Sequence, residues 1–380
     1  MKAAELGFFS ESYEDARSLF TEHLQKLPSS HRFHWDPISI DSKTTRDLFF
    51  DVVYLPSQQK AENLLILSSG IHGPEAFLGS AIQSRFLANL KQRRPLQKTS
   101  LLIFHIVNPY GSKHFTRGTE NNVNLNRNFH LNDSDFLSQN SSYDLLKDIL
   151  QPTQVAKYSK VQTYQLIWKM ALLLMKGRVS KNDLIRAVGL GQFHETRGLE
   201  FGGSAPEFQT TVIAKKLAEL VPQFENVILF DIHTGLGKKQ TLHILPGSHP
   251  KTLDRQLFEA LMPPPHEKIY ELTKTTKDGF YETHGDFNNF MVNFVDDNQR
   301  LLALTLEFGT RGTSMISQIE GLYALIFENQ GRHYGHHDDH QIQKAIMEMR
   351  KSFYPTSRQW RSQALLKAER IIHQALLHLE

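Results

Sequence analysis

Leu64-Leu65-Ile66-Leu67-Ser68-Ser69-Gly70 runs through Ile71 into His72-Gly73-Pro74-Glu75, and this stretch decides the fold. Its first half is an unbroken apolar run of strand length, the pattern of a strand covered on both faces. Gly70 and Gly73-Pro74 are turn residues. From 75 to 90 the apolar positions recur at helical spacing, which predicts an amphipathic helix. A second apolar strand follows at 101–107. Strand, helix and strand in that order predict a right-handed parallel crossover. His72 and Glu75 then stand in the turn at the carboxyl end of the first strand, where open α/β sheets carry their chemistry.

The same grammar extends outward in both directions. Segment 10–25 predicts a helix capped by Ser10, with Ala16, Leu19, Phe20 and Leu24 as its apolar face, and 48–55 predicts a strand. Downstream, a helix at 205–221 leads into a strand at 226–232, which delivers Asp231 and then His233 at its end. Runs at 241–245 and 301–306 bring the strands to about six to eight, a usual sheet. Residues 130–200 differ: 132–142 is polar and turn-rich, while 161–176 is strongly helical. They read as an insertion of loops and helices lying over the sheet. From 314 onward the chain reads as helices, ending in a charged segment at 357–379. With no repeat, low-complexity tract or linker, one domain over 1–380 is expected.

Composition narrows the chemistry. Lys and Arg total 43 against 40 Asp and Glu, a net charge of +3, so no broad field exists for nucleic acid or a membrane surface. The chain has no cysteine, so a metal must be held by His, Asp or Glu. The first residues lack a signal peptide's apolar core, and no apolar run is long enough to span a bilayer, so a cytoplasmic protein is expected.

Four motifs carry the chemistry together. His72, Glu75 and His233 supply two imidazoles and a carboxylate, the ligand set of a catalytic zinc with one position open. Strand alternation puts Asp231 on the side of His233, where a carboxylate can orient a ligand imidazole. Glu307 ends an apolar strand, where a carboxylate is costly unless it has a task. Beside a metal site that task is general base, then general acid. Arg117, Asn126 and Arg127 lie in a polar loop after Asn108-Pro109-Tyr110-Gly111, and arginine forks suit carboxylates and oxyanions. Each has a plainer reading: a strand-end histidine, a salt-bridged glutamate, solvated loop arginines. His336-His337-Asp338-Asp339-His340 has ligand types crowded into one polar turn and reads as a solvated loop. Arg358, Arg361, Lys367 and Arg370 read as a solvated helix face.

In this order the motifs resemble the zinc carboxypeptidase superfamily, which includes the succinylglutamate desuccinylase and aspartoacylase branch. More narrowly, the chain resembles an uncharacterised bacterial branch, a domain of unknown function. That likeness is carried by 9–17, His72-Gly73-Pro74-Glu75 with 79–83, 121–129 and 230–237, and it extends from Phe8 to near Trp360. The resemblance implies a mixed, mostly parallel sheet of about eight strands between helices, with one zinc ion held by His72, Glu75 and His233. It implies Glu307 as general base and acid, Arg117 polarising the scissile carbonyl, and Asn126 and Arg127 gripping a substrate carboxylate. Asn124 stands where the family commonly has an aspartate behind the first histidine, so weaker zinc binding is expected. Tyr281 is the position expected for the family's mobile tyrosine. The function implied is cleavage of an amide next to a free carboxylate, on a peptide or, alternatively, on an N-acyl amino acid. A third possibility is a zinc-binding module without activity. The helical reading of 308–380 in place of a β-rich cap favours the peptidase, and retention of Glu307 disfavours the inactive module.

Overall fold

A computed structural model describes residues 6–264, 267, 269–272 and 283–380. Eight strands form one sheet: β1 (His34–Ser39), β2 (Phe49–Leu55), β3 (Asn63–Ser69), β4 (Thr99–His105), β5 (Asn226–Gly235), β6 (Leu242–Pro246), β7 (Glu271–Leu272) and β8 (Arg300–Gly309). Their spatial order is β1-β2-β4-β3-β5-β8-β6-β7. The central strands β4, β3, β5 and β8 are mutually parallel; β1, β2 and β6 join antiparallel and β7 is parallel to β6. The fold is therefore the mixed α/β class expected. The polar edge strand β1, with Pro37 inside it, and the two-residue β7 are the strands the apolar pattern does not announce.

The helices are α1 (Tyr13–Gln25), α2 (Ala76–Leu90), α3 (Pro109–His114), α4 (Ser141–Leu150), α5 (Lys160–Met175) and α6 (Lys181–Gly189), then α7 (Phe208–Leu220), α8 (Arg255–Leu261), α9 (Phe287–Phe290), α10 (Met315–Tyr334), α11 (Asp339–Phe353) and α12 (Arg358–Leu379). On one sheet face Leu65, Leu67, Ile228 and Leu304 pack with α1, α2 and α12. On the other, Leu64, Ile66, Leu229 and Ala303 pack with α7 and α9.

Four expectations are corrected. The cap of α1 is Ser12, whose Oγ accepts from Asp15 N–H, rather than Ser10. α2 is not amphipathic: it is buried at 12 of its 15 residues, because α1 and α12 enclose the face that would meet water. The insertion does not lie over the sheet; Tyr143, Leu146, Leu166 and Ala187 form a core with Ile319, Tyr323 and Met349 of α10 and α11. Nor is the basic face of α12 wholly solvated: Arg361 is buried, paired with Glu11 and stacked on Tyr354. Asp338 accepts from Gln341 N–H as the N-cap of α11, which accounts for part of the histidine-rich turn.

The motif at 9–17 is structural. Arg17 meets Asp51 with both oxygens, at 2.7 and 2.9 Å, and Trp35 Nε1–H joins at 2.9 Å. Burial works against the Asp51 charge, but His105 and Arg17 bring its pKa down to about 2. The network ties α1 to β1, β2 and β4, away from the candidate centre.

Candidate metal centre

β3 ends at Ser69, and the chain turns through Gly70, whose φ of +72° is a conformation glycine reaches without strain. A short 3-10 turn, Gly73–Glu75, then presents His72 and Glu75 over the strand ends. Gly73 is required by close approach: a Cβ there would meet the Gly111 carbonyl carbon at 2.0 Å. β5 and β8 run further than their apolar cores, so His233 and Glu307 lie within strands and are direct partners across them. Asp231 sits two residues before His233 on the same side, paired with Thr305.

These elements bring the expected ligands together. One donor atom each from His72, Glu75 and His233 lie within 4.8 Å of one another, and all three residues are buried. Glu75 Oε1 is 2.9 Å from His72 Nδ1, and Glu75 Oε2 is 3.0 Å from His233 Nδ1. Thr234 N–H also donates to Glu75 Oε2 at 3.0 Å, and Arg117 approaches Oε1 at 3.3 Å.

The far side of each ring meets an acceptor. His233 Nε2 is 2.6 Å from Asp231 Oδ2, and His72 Nε2 is 3.0 Å from Asn124 Oδ1. That Asn124 oxygen also accepts from Asn126 N–H at 2.9 Å, which fixes the amide's orientation. Each ring therefore gives its Nε2 proton away from the centre and turns Nδ1 toward the Glu75 carboxylate.

The charges and lone pairs of this geometry suit a cation. Burial, then the Arg117 charge, lower His72 to about 4, so its Nδ1 faces a carboxylate oxygen as a lone pair. Glu75 is pushed up by burial but held well below its ordinary value by the two imidazoles. Burial opposes the charge on His233 too, yet Asp231 and Glu75 raise it well above the usual imidazole range. An acceptor facing an acceptor at His72 and a proton trapped at His233 are the arrangement a divalent cation would relieve. The donor set fits a metal ion.

Glu307 faces the same cavity, and its Oε1 accepts from Leu236 N–H at 2.7 Å. Burial, then the Glu75 charge, raise it to about 8. It is thus a protonated acid beside an ionised one, two carboxyls whose surroundings push them apart.

Arg117, Asn126 and Arg127 also line this cavity. Asn108 orders their loop: its Oδ1 accepts from Gly111 N–H and its Nδ2 donates to the Arg117 carbonyl. Arg332 of α10 clasps the Thr119 and Glu120 carbonyls from outside. Asn122 and Asn128 donate to the carbonyls of Thr196, Gly198, Gly202 and Ala205, stitching the loop to the end of the insertion. The asparagine-rich motif at 121–128 is largely this stitching.

One residue of the centre escapes sequence reasoning. Glu200, at the end of the insertion, is buried among Arg117, Arg127 and Asn124. Its Oε1 is 2.9 Å from Arg117 Nε and its Oε2 is 3.8 Å from Arg127; Asn124 Nδ2 donates to Oε2 as well. Burial pushes Glu200 up, but Arg117, Arg127 and His72 hold it below its ordinary value. A negative charge thus stands one residue behind His72, with the Asn124 amide as relay between them. The neutral Asn124 was the signal that a compensating carboxylate was needed. Tyr281 lies outside the described residues.

Fold and site define the class: a mixed α/β protein whose parallel strand ends gather a His–Glu–His group able to hold a metal. In particular, the chain belongs to the family described as "Protein of unknown function (DUF2817)", whose model matches residues 9–367. A comparison with curated proteins gives no match. Among solved structures, the chain is similar to bovine thrombin-activatable fibrinolysis inhibitor in complex with tick carboxypeptidase inhibitor, at 12% identity and TM-score 0.47, covering 96% of this chain and 98% of that one. It is similar to carboxypeptidase A from Helicoverpa armigera at 12% identity and TM-score 0.44, covering 90% and 74%. An aspartoacylase family protein from Mesorhizobium loti is similar at 13% identity and TM-score 0.36, covering 80% and 68%. Among the described residues, no helix is long and apolar enough to cross a membrane.

Proposed function

We propose that the protein is a zinc-dependent hydrolase that cleaves an amide bond next to a free carboxylate, on a peptide or on an N-acyl amino acid. The observation that carries this reading is the convergence of His72, Glu75 and His233, with Glu307 paired beside His233 in the next strand. One zinc ion per chain would be held by these three residues and would supply Lewis acidity and a lowered pKa for water.

The remaining steps belong to the chain's own groups. Asp231 and Asn124 hold the two rings by their Nε2 protons, so that Nδ1 stays directed inward. Glu307, once ionised, takes a proton from the attacking water and returns it to the leaving amine nitrogen. Arg117 stabilises charge on the carbonyl oxygen as it develops. Asn126 and Arg127 are assigned the substrate carboxylate, which would compete with Glu200 for the Arg127 guanidinium.

Of the two substrates, the N-acyl amino acid is favoured by the apolar walls of the cavity. An inactive zinc-binding module is disfavoured by Glu307, a buried acid that faces the same cavity as the three candidate ligands. The test compares hydrolysis of peptides with a free terminal carboxylate, the same peptides amidated, and metal-stripped enzyme. Of these three conditions, turnover is expected only with the free carboxylate and the metal-loaded enzyme. Indifference to amidation would remove the carboxylate clamp, and full activity of stripped enzyme would remove the metal.

A further inference from the structure

We infer that the substrate carries a long aliphatic acyl chain, seated against the helices of the insertion; this rests on the hydrolase reading above and favours its deacylase form. The cavity holding His72, Glu75, His233 and Glu307 measures about 570 Å3, within the range of small-molecule sites. Beyond the polar group already described, its lining is mostly apolar. Ile167, Met170 and Leu174 of α5 face it together with Leu146 and Leu150 of α4 and Val188 of α6. Leu322 and Leu325 of α10 add further wall.

Two physical arguments select an acyl chain over a peptide. Ile167 and Leu174 stand seven positions apart on α5, roughly 10 Å of apolar wall, where one amino-acid side chain covers about a single turn. The walls are also helical. Backbone groups inside a helix are already bonded to each other, so a peptide main chain laid along this surface would lose water without gaining partners. An aliphatic chain has no such groups to satisfy. Its continuity with the His–Glu–His centre sets the carbonyl end of the chain among the catalytic groups. The reaction balances simply: the amide C–N bond breaks, water gives its oxygen to the acyl carbon, and Glu307 passes a water proton to the departing nitrogen. The products are a fatty carboxylate and an amino acid.

The probes are N-acylglycines from acetyl to tetradecanoyl. Their binding to the Glu307→Gln chain is measured by calorimetry, and their hydrolysis by the unaltered enzyme is measured in parallel. Affinity and kcat/KM are expected to rise about three- to fourfold per methylene until the wall is covered. Leu174→Lys, or Met170→Lys should the first fail to fold, is expected to flatten that rise. Trp168→Lys, on the exposed side of α5, should leave the series as it is. Hydrolysis of acetylglycine and peptides with no dependence on chain length overturns the inference and spares the hydrolase reading. Binding that climbs with chain length without hydrolysis keeps the chain site and removes the hydrolase. Peptides with apolar C-terminal residues responding to Leu174→Lys, while acylglycines do not, also overturn the inference.

Discussion

Replacing Glu307 by glutamine should change the stability of the metal-free protein in a way that depends on pH. Glutamine keeps the oxygen that accepts from Leu236 N–H and removes only the ionisable proton. In the folded chain burial and the Glu75 charge raise Glu307 from its ordinary 4.5 to about 8. At about 1.4 kcal/mol for each tenfold, the folded state therefore disfavours the ionised form by at most about 5 kcal/mol. The sign follows from linkage: a raised folded pKa gives stability that is complete below 4.5 and is lost as pH rises through about 8. Urea denaturation of stripped protein at intervals from pH 5 to pH 9 reads this directly. Glu307→Gln should match the unaltered chain near pH 5 and exceed it by about 3–5 kcal/mol near pH 9. Adding zinc sets a positive charge beside Glu307, lowers its pKa and shrinks the difference. A stability difference that is the same at every pH would refute the assignment of Glu307 as a protonated acid facing Glu75.

Glu200→Gln should weaken zinc binding about 10–100-fold by leaving Arg117 and Arg127 around a neutral amide, and Asn124→Asp should weaken it by setting two carboxylates together. Combining them moves the charge next to His72 and should recover part of the loss; strict additivity in metal titrations would contradict the relay. Arg17→Met should cost about 3 kcal/mol at neutral pH by stranding the buried Asp51. Asp51 is depressed to about 2, so its contribution is present above 3.8 and is lost as pH falls through about 2. The Arg17→Met deficit should therefore narrow in acid denaturation, and an equal deficit at pH 2 and pH 7 would count against the pair.

What was legible in the sequence follows from where apolar patterning is strong. β3, β4, β5 and β8 are buried on both faces and show as apolar runs, and the turn after β3 fixed where His72 and Glu75 stand. The polar ends of β5 and β8 read as strand termini, yet the sheet ladder carries them on to Gly235 and Gly309. Strand pairing is what sets His233 beside Glu307, and pairing leaves no mark in one sequence. The same holds for Glu200, which reaches Asn124 only because the insertion folds back along the loop at 121–128. α2 shows a second limit: its helical period is real, but the burial of its outer face depends on α1 and α12, which lie far away in the chain.

The central claim is that His72, Glu75 and His233 share one metal ion. Elemental analysis with competitive zinc titration of the unaltered chain, His72→Ala and His233→Ala tests it most directly. About one zinc is expected per unaltered chain, and for each variant a loss of affinity beyond the roughly 10–100-fold typical of removing an outer partner. Unchanged zinc content and affinity in both variants would contradict it.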